Sequence, residues 1–315
     1  MSIATITRWL VAPALLLSLS LSTFAQGQDE VTLIAKLAFE QIAQREAAAA
    51  AALEAEHQAR LEEQSRLKEV YQQYLGSARR TAQTLIADKR RKASQEQVDT
   101  LRRRARVIID EVQDPTQKRI PNELDPIFEA LGKSISLTPD EMLKANTQLI
   151  KMKKELGRRH DLGWVDQAAI LYALAEDKQQ SEVIAGNLKF REKLSDDEAQ
   201  SIDETNRRRM ILGLNPLAID MKLVECGRDH SSDMIKHDFF KHVSPVAGKT
   251  NFWDRAKNFG TTASGENIAA GYGDGMAVTL GWWKSPGHLK NMMGKGHGRI
   301  AVGQENKHYT QLFGK

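Results

Sequence analysis

The chain has 315 residues, of which 41% are hydrophobic and 27% are charged, and its formal net charge is +4 at pH 7. This length allows two or more domains. So small a net charge does not point to a nucleic-acid partner, and we expect none. The chain has a single cysteine, Cys226, which excludes an intramolecular disulfide.

The first residues have the pattern of an export signal. Arg8 gives a positive start, the run from Trp9 to Leu21 is mostly apolar, and Thr23-Phe24-Ala25 offers the small residues that a signal peptidase recognises. This run is shorter than the ~20 apolar residues of a membrane-spanning helix, so we expect no integral membrane span. The alternatives are a buried helix or a membrane anchor. We predict a signal peptide at residues 1–25, cleaved near Ala25, and a secreted or periplasmic mature protein.

Residues 26–113 are predicted to form a long helical region. The run from Ala47 to Ala52 consists of the residue with the highest helix propensity. Apolar or small residues recur at helical spacing from Leu67 to Leu85 and again from Val98 to Val112. Such a seam is typical of a coiled coil or a helical hairpin. A seam of this kind can also pair two copies of the chain, which would give a helix-mediated oligomer.

Three short patterns predict helix starts by the same chemistry. A hydroxyl side chain caps a backbone N–H group, and an acid or amide three residues later caps in return. We place the start of the last domain, residues 195–315, at the pattern formed by Ser195 and Glu198, so that this domain has an ordinary size. The three patterns are Ser94 with Gln97, Thr138 with Glu141, and Ser195 with Glu198.

Residues 114–194 are predicted to form a second helical region. Asp114-Pro115 and Ile120-Pro121 mark a break at its start. One helix is expected from Pro139 to about Gly157, and another from Trp164 to Ala175. No residue pattern in this region resembles a chemical site.

In the last domain the predicted order is helix, loop, helix, loop, helix and then a pair of strands. The second helix is expected over Asp220–Lys236 and the third over Gly275–Lys284, after which Ser285-Pro286-Gly287-His288 is expected to turn the chain. Extended runs at Arg299–Gln304 and His308–Phe313 flank Glu305-Asn306-Lys307, which has the composition of a hairpin turn.

The stretch Gly265-Glu266-Asn267-Ile268 is the most suggestive of chemistry. Glycine permits backbone conformations that other residues avoid, and asparagine can bond to its neighbouring backbone. The stretch therefore predicts a turn that aims the Glu266 carboxylate at one place. A domain that gathers several histidines around this carboxylate would form a polar site. Histidines lie on both sides of it in sequence: His230, His237, His242, His288, His297 and His308.

Short motifs in this domain, taken in order, resemble the CAP superfamily. That family includes cysteine-rich secretory proteins, antigen 5 and plant pathogenesis-related proteins of the first class. The Ser-Pro-Gly-His motif resembles its cysteine-poor bacterial branch, and the resemblance covers about Asp196 to Lys315. The motifs are Asn206 to Arg209, Leu214-x-Pro216-Leu217, His230 to Met234, Phe240-x-His242, Gly265 to Ile268, Trp282, Ser285 to His288, and His308 to Gln311.

The resemblance implies an α-β-α sandwich with a small antiparallel sheet between helical layers. The whole chain is then expected to be α+β, with the CAP domain preceded by an all-α, partly coiled-coil N-terminal region. Members of the family are typically secreted, which agrees with the predicted signal peptide.

The resemblance also implies a candidate site, because many members have a cleft of two histidines and two glutamates that can hold a divalent cation. By position, His242 and His308 match the histidines and Glu266 matches the first glutamate. The second glutamate would fall near Leu280 and is absent. Two imidazoles and one carboxylate would leave a zinc ion an open position for water, so weak zinc binding is expected. His288, in the Ser-Pro-Gly-His motif, would line the same cleft or brace it.

Three functions follow as alternatives. The first is a non-enzymatic module that binds an extracellular or cell-envelope ligand, which is a lipid, a glycan or a protein. The second is a metal-assisted or His-Glu hydrolase, peptidase-like, for which Ser244 could be the nucleophile, although Ser244-Pro245 is more typical of a turn. The third is a helical stalk that oligomerises and displays the CAP domain. We favour the first, because a second carboxylate is missing at Leu280.

Overall fold

A computed structural model describes residues 28–114, 116, 119–157 and 163–315, without the side chains of residues 28–35, 163 and 164. The predicted signal peptide, its cleavage near Ala25 and Pro115 lie outside the described residues. The chain divides into two compact units, Met1–Leu67 and Lys68–Lys315. Helix α1, Gln28–Lys92, contributes to both units. Among the described helices, none has both the length and the apolar composition to cross a membrane.

The described part of the first unit is the beginning of α1. Every residue from 36 to 62 is exposed, so this stretch is helical without a covering layer among the described residues. Its stability as a helix comes from local terms, namely the alanine run and pairs such as Arg60 with Glu56, whose side chains are 2.6 Å apart.

In the second unit, α1 continues with one face buried, including Tyr74, Ala78 and Ile86. It ends before Ser94. The Ser94 hydroxyl accepts from the backbone N–H of Gln97 and so caps the start of α2, Gln95–Gln113, as predicted. The apolar stripe of α2 is buried against α3, Leu124–Ile135, and against α12 of the last domain, Pro286–Met292. This stripe therefore builds a helical layer within the unit, and the coiled coil stays a prediction.

Helices of the 114–194 region follow local caps, with one correction. The expected single helix from Pro139 to about Gly157 is two helices, α4 (Pro139–Ala145) and α5 (Thr147–Leu156). Asn146 separates them because its extended backbone ends α4 while its side chain caps Gln148 at the start of α5. Helix α6 spans Gly163–Leu174, α7 spans Lys178–Leu188, and a short 3-10 turn occupies Arg191–Lys193.

The last domain begins with α8, Asp196–Ile211, and the reciprocal caps of Ser195 and Glu198 are both present. The later elements are β1 (Ala218–Ile219), α9 (Met221–Lys236), α10 (Phe252–Asn258), β2 (Gly265–Ala270), α11 (Gly275–Trp283), α12 (Pro286–Met292), β3 (Arg299–Glu305) and β4 (His308–Gly314).

Two expectations for this domain are wrong. Gly265 to Ile268 is not a turn but the start of strand β2, paired along its length with β4. Ser285 to His288 is not a loop turn but the start of α12, with Pro286 at the first helical position, where proline loses no hydrogen bond. The hairpin turn is where it was expected, with Asn306 and Lys307 both at positive φ.

Strands form one sheet in the order β1-β3-β4-β2. Neighbouring strands are antiparallel except that β1 is parallel to β3, so the sheet is mixed rather than purely antiparallel. Adjacent residues of β4 point to opposite faces. Thr310 contacts Ser231 of α9 and Gln311 contacts Thr205 of α8, so α9 and α8 cover opposite faces. The expected α-β-α sandwich is confirmed.

Contacts join the helices before Ser195 to the last domain within the second unit. Arg208 of α8 lies over the rings of Phe128 and Trp283, at 4.6 and 4.3 Å from their centres. The indole N–H of Trp283 donates to Asp125 at 2.6 Å. Asn187 bonds the backbone of Leu217 and Ile219 beside β1. A domain boundary at Ser195 stays a prediction, since these contacts cross it.

Candidate functional site

Glu266 lies on β2 and is nearly buried, at 4% exposure. Its neighbour Asn267 points to the opposite face of the sheet, where it donates to Gln311 and accepts from Asn291. Asn291 also donates to the backbone carbonyl of Glu266. Strand pairing with β4 and this amide network therefore hold the Glu266 backbone from both sides.

The Glu266 carboxylate has two partners, one on each oxygen. Oε1 lies 2.9 Å from Nδ1 of His242, and Oε2 accepts from Nη2 of Arg255. Arg255 lies on α10 and has no exposed surface. An ion pair with a buried arginine compensates the burial of the carboxylate, and each group would be costly to leave alone.

His242 is the exposed member of this group, with 52% of its side chain accessible to solvent. A carboxylate can only accept hydrogen bonds, so Nδ1 of His242 carries the proton that joins it to Glu266. In the neutral imidazole, Nε2 is then the acceptor. Glu266 thus acts as the orienting partner of an exposed imidazole.

His288 lies near His242, in the first turn of α12. Burial lowers the pKa of His288 from its ordinary value, and the charge of His242 lowers it further. That His288 lines the same cleft stays a prediction.

His308 has different neighbours. It begins β4 opposite Ala270, four residues along β2 from Glu266. That separation corresponds to about 13 Å between backbone positions. Its ring lies 6.5 Å from that of Phe240, and its Nδ1 is 3.3 Å from the carbonyl oxygen of Asn306. His242 and Glu266 are brought into contact, whereas the contacts of His308 are with Phe240 and Asn306.

Two other positions complete the description of the site. Leu280, where the second glutamate was expected, lies on α11 and is 36% exposed. His230 is a fully buried residue of α9 that packs against Phe239. Burial lowers the pKa of His230 to about 4, against the opposing charge of Glu266. His230 is therefore a neutral core residue behind the site.

The residues do not fit a tightly held metal ion with three protein ligands. Among the described residues, no group of three or more His, Cys, Asp or Glu side chains is arranged to hold a metal. The Glu266 oxygens are already engaged, and the Arg255 cation beside them opposes a second cation. The remaining donors are imidazoles, which in small number bind zinc weakly.

Arg255 is the site residue that sequence reasoning missed. The signal that was available is the capping pair Asn251 and Asp254, which predicts a short helix before Gly260. A lone arginine on a short helix has no spacing that distinguishes it from a solvated residue. Its burial and its contact with Glu266 appear only when α10 packs beside the sheet.

Comparisons with known proteins agree with the fold. The family model described as "CAP: Cysteine-rich secretory protein family" matches residues 202–312. Two proteins of Bacillus subtilis (strain 168), named Uncharacterized membrane protein YlbC and Uncharacterized protein YkwD, are each 36% identical to this chain, over 116 and 120 residues. The matches cover 37% of this chain and 34% and 46% of those relatives, so this chain spans less than half of either relative's length.

Two solved structures are also similar. An extracellular protein containing a SCP domain from Bacillus anthracis str. Ames is 35% identical, with a TM-score of 0.36, over 37% of this chain and 39% of that chain. An outer surface protein from Borrelia burgdorferi is 21% identical, with a TM-score of 0.32, over 36% of this chain and 88% of that one. The motifs, the α-β-α layers and the match to residues 202–312 together assign the C-terminal domain of this chain to the CAP family of cysteine-rich secretory proteins.

Proposed function

We propose that this chain is an exported protein whose CAP domain binds an extracellular or cell-envelope ligand and catalyses no reaction on it. Export is supported by the signal-like pattern from Arg8 to Ala25. The ligand is a lipid, a glycan or a protein of the cell envelope, and the exposed His242 is its point of contact.

This proposal rests on one observation: Arg255 bonds to Glu266, and Glu266 in turn contacts His242. Each carboxylate oxygen of Glu266 already accepts from a protein group, and the residue is nearly buried, so Glu266 is poorly placed to activate a water molecule. General acid–base catalysis needs a group within hydrogen-bond reach of the proton that moves. What is available to a ligand is an oriented imidazole, which suits recognition.

The surface beside His242 supports the same proposal. Phe240 and Val243, two large apolar residues, are 50% and 56% exposed. Exposed apolar side chains next to a polar group are typical of surfaces that bind other molecules. The loop from Phe240 to Val243 therefore exposes two large apolar side chains within two residues of His242 in the chain.

A pull-down with the exported protein tests this function. Wild type immobilised on beads should retain a component of a cell-envelope fraction, and His242→Ala should lose it. His237→Ala is the matched control, because His237 is also exposed but ends α9 outside the site. Equal retention by wild type and His242→Ala would contradict the proposal.

One observation favours a second candidate, a His-Glu hydrolase. The contact of 2.9 Å between His242 and Glu266 is the geometry in which a carboxylate supports an imidazole base. Turnover of a peptide or ester library that disappears in Glu266→Ala would establish this activity and displace the binding function.

A further inference from the structure

We infer that Arg255 is the positioning residue of the candidate site and sets which nitrogen of His242 faces the ligand. Arg255 acts on His242 by two routes, one through the backbone of the loop and one through Glu266. This inference rests on the proposed function, in which the exposed edge of His242 contacts the ligand.

The first route is through backbone carbonyls. Nη1 of Arg255 donates to the carbonyl oxygens of His242, Lys249 and Thr250, at 3.2, 3.0 and 3.3 Å. The backbone N–H of Ser244 also donates to the Thr250 carbonyl at 2.9 Å. The stretch from His242 to Thr250 contains no helix or strand. A single guanidinium therefore holds both ends of this loop together.

The second route is through the carboxylate. Nη2 of Arg255 donates to one oxygen of Glu266, and the other oxygen faces Nδ1 of His242. The guanidinium keeps Glu266 an acceptor, and an acceptor at this place requires a proton on Nδ1 of His242. The ring is then fixed in one tautomer with Nε2 as the acceptor.

Arginine can make the hydrogen bonds of both routes at once, and lysine cannot. Its planar fork directs donors from separate nitrogens, whereas the lysine ammonium is one compact centre. Arg255 has no exposed surface, so no water from bulk solvent would replace the bonds that a lysine leaves unmade. Lysine at this position is expected to keep a charge near Glu266 but to release the loop carbonyls, so that His242 is no longer held against Glu266 and both tautomers are populated.

The tautomer has a consequence for the class of ligand. At Nε2, a neutral His242 accepts a hydrogen bond from the ligand and cannot donate one, because its proton is on Nδ1 and faces Glu266. The site therefore favours ligand groups that donate, such as the hydroxyl of a glycan or an amide N–H, over groups that only accept. Phe240 and Val243, within two residues of His242 in the chain, add exposed apolar surface.

Nitrogen-15 NMR of the full chain, which distinguishes the two imidazole tautomers, tests the inference. Neutral His242 should carry its proton on Nδ1 in wild type. Arg255→Lys should give a mixture of tautomers. It should also lower the amount of envelope component retained in the pull-down by about 10-fold, the lower end of the range expected when an orienting partner is lost. Arg209→Lys is the matched control, because Arg209 is equally buried and bonds to carbonyls of Asn215, Met292 and Gly294. It should keep the wild-type tautomer.

A second variant keeps the test decisive if Arg255→Lys does not fold. In Glu266→Gln the amide oxygen can face Arg255 while the amide N–H₂ faces His242, so the proton should move to Nε2. An Nε2 proton in wild type, or an unchanged Nδ1 proton in the variants that fold, would overturn the inference. Absence of any retained ligand would defeat the proposed function alone, because the tautomer is measured without a ligand.

Discussion

Replacing Asp203 with asparagine should stabilise the protein, and should do so by more at pH 8 than at pH 5. Asp203 lies on α8 and lines a small cavity whose other walls include Leu171 of α6 and Ile184 of α7. Burial raises the pKa of the Asp203 carboxyl from 3.8 to about 7, with the positive charge of Arg191 opposing the shift and Glu204 adding to it. The cavity lies between the helical region and the last domain, so the charge of Asp203 affects the stability of the packing between them.

The sign follows from proton binding. The unfolded chain releases the Asp203 proton near pH 3.8, and the folded protein keeps it until about pH 7. Between these values the folded state binds more protons, so its stability falls as pH rises, and the loss is complete above pH 7. One pKa unit corresponds to about 1.36 kcal/mol, so the whole loss is at most about 4 kcal/mol.

Urea unfolding at pH 5 and pH 8 measures this effect. Wild type should lose about 2 to 3 kcal/mol more of its unfolding free energy between the two pH values than Asp203→Asn does, because the part of the loss below pH 5 has already occurred. Glu182→Gln is the control, because Glu182 is an acid on neighbouring α7 whose side chain is 66% exposed, and its variant should follow wild type. The same pH dependence in wild type and Asp203→Asn would refute the reasoning.

Three further results are expected. Residues 195–315 alone should unfold cooperatively but at a lower temperature than the full chain, because the contacts that cross the boundary are lost; equal melting temperatures would contradict this. Ile108→Asp should lower the unfolding free energy in urea by about 3 kcal/mol because Ile108 is 8% exposed, while Val107→Asp, at 58%, should change it by less than about 0.5 kcal/mol. Similar losses in both would mean that the α2 stripe is not buried. Calorimetry should find weak zinc binding that His242→Ala reduces; nanomolar affinity, or equal uptake by wild type and His242→Ala, would exclude this site.

Elements with local end signals could be predicted from the sequence. The starts of α2, α4 and α8 at Ser94, Thr138 and Ser195 depend on side chains within three residues of the cap. The hairpin turn at Asn306 and Lys307 is equally local. In each case the residues that decide the structure are neighbours in the chain.

Strand β2 could not be predicted in the same way, because it depends on distant residues. Gly265 suggested a turn, yet its backbone is not in the left-handed region, and its pairing partner is Phe313 of β4. The physical reason for glycine there is space, since a Cβ atom would lie 3.2 Å from the side-chain oxygen of Asn291. A glycine required by a neighbouring side chain and a glycine required by a turn look identical in a single sequence.

The candidate site likewise contains residues that could be predicted from the sequence and one that could not. His242 and Glu266 are only 24 residues apart, and Arg255 lies between them, so one short stretch of chain supplies the whole group. The motifs identified its two ends, but the arginine that joins them has no pattern of its own. The contacts with the helical regions involve other residues, such as Arg208, Trp283 and Leu217. The helical regions therefore act on the stability of the CAP domain, whereas the geometry of the site is determined within the CAP domain itself.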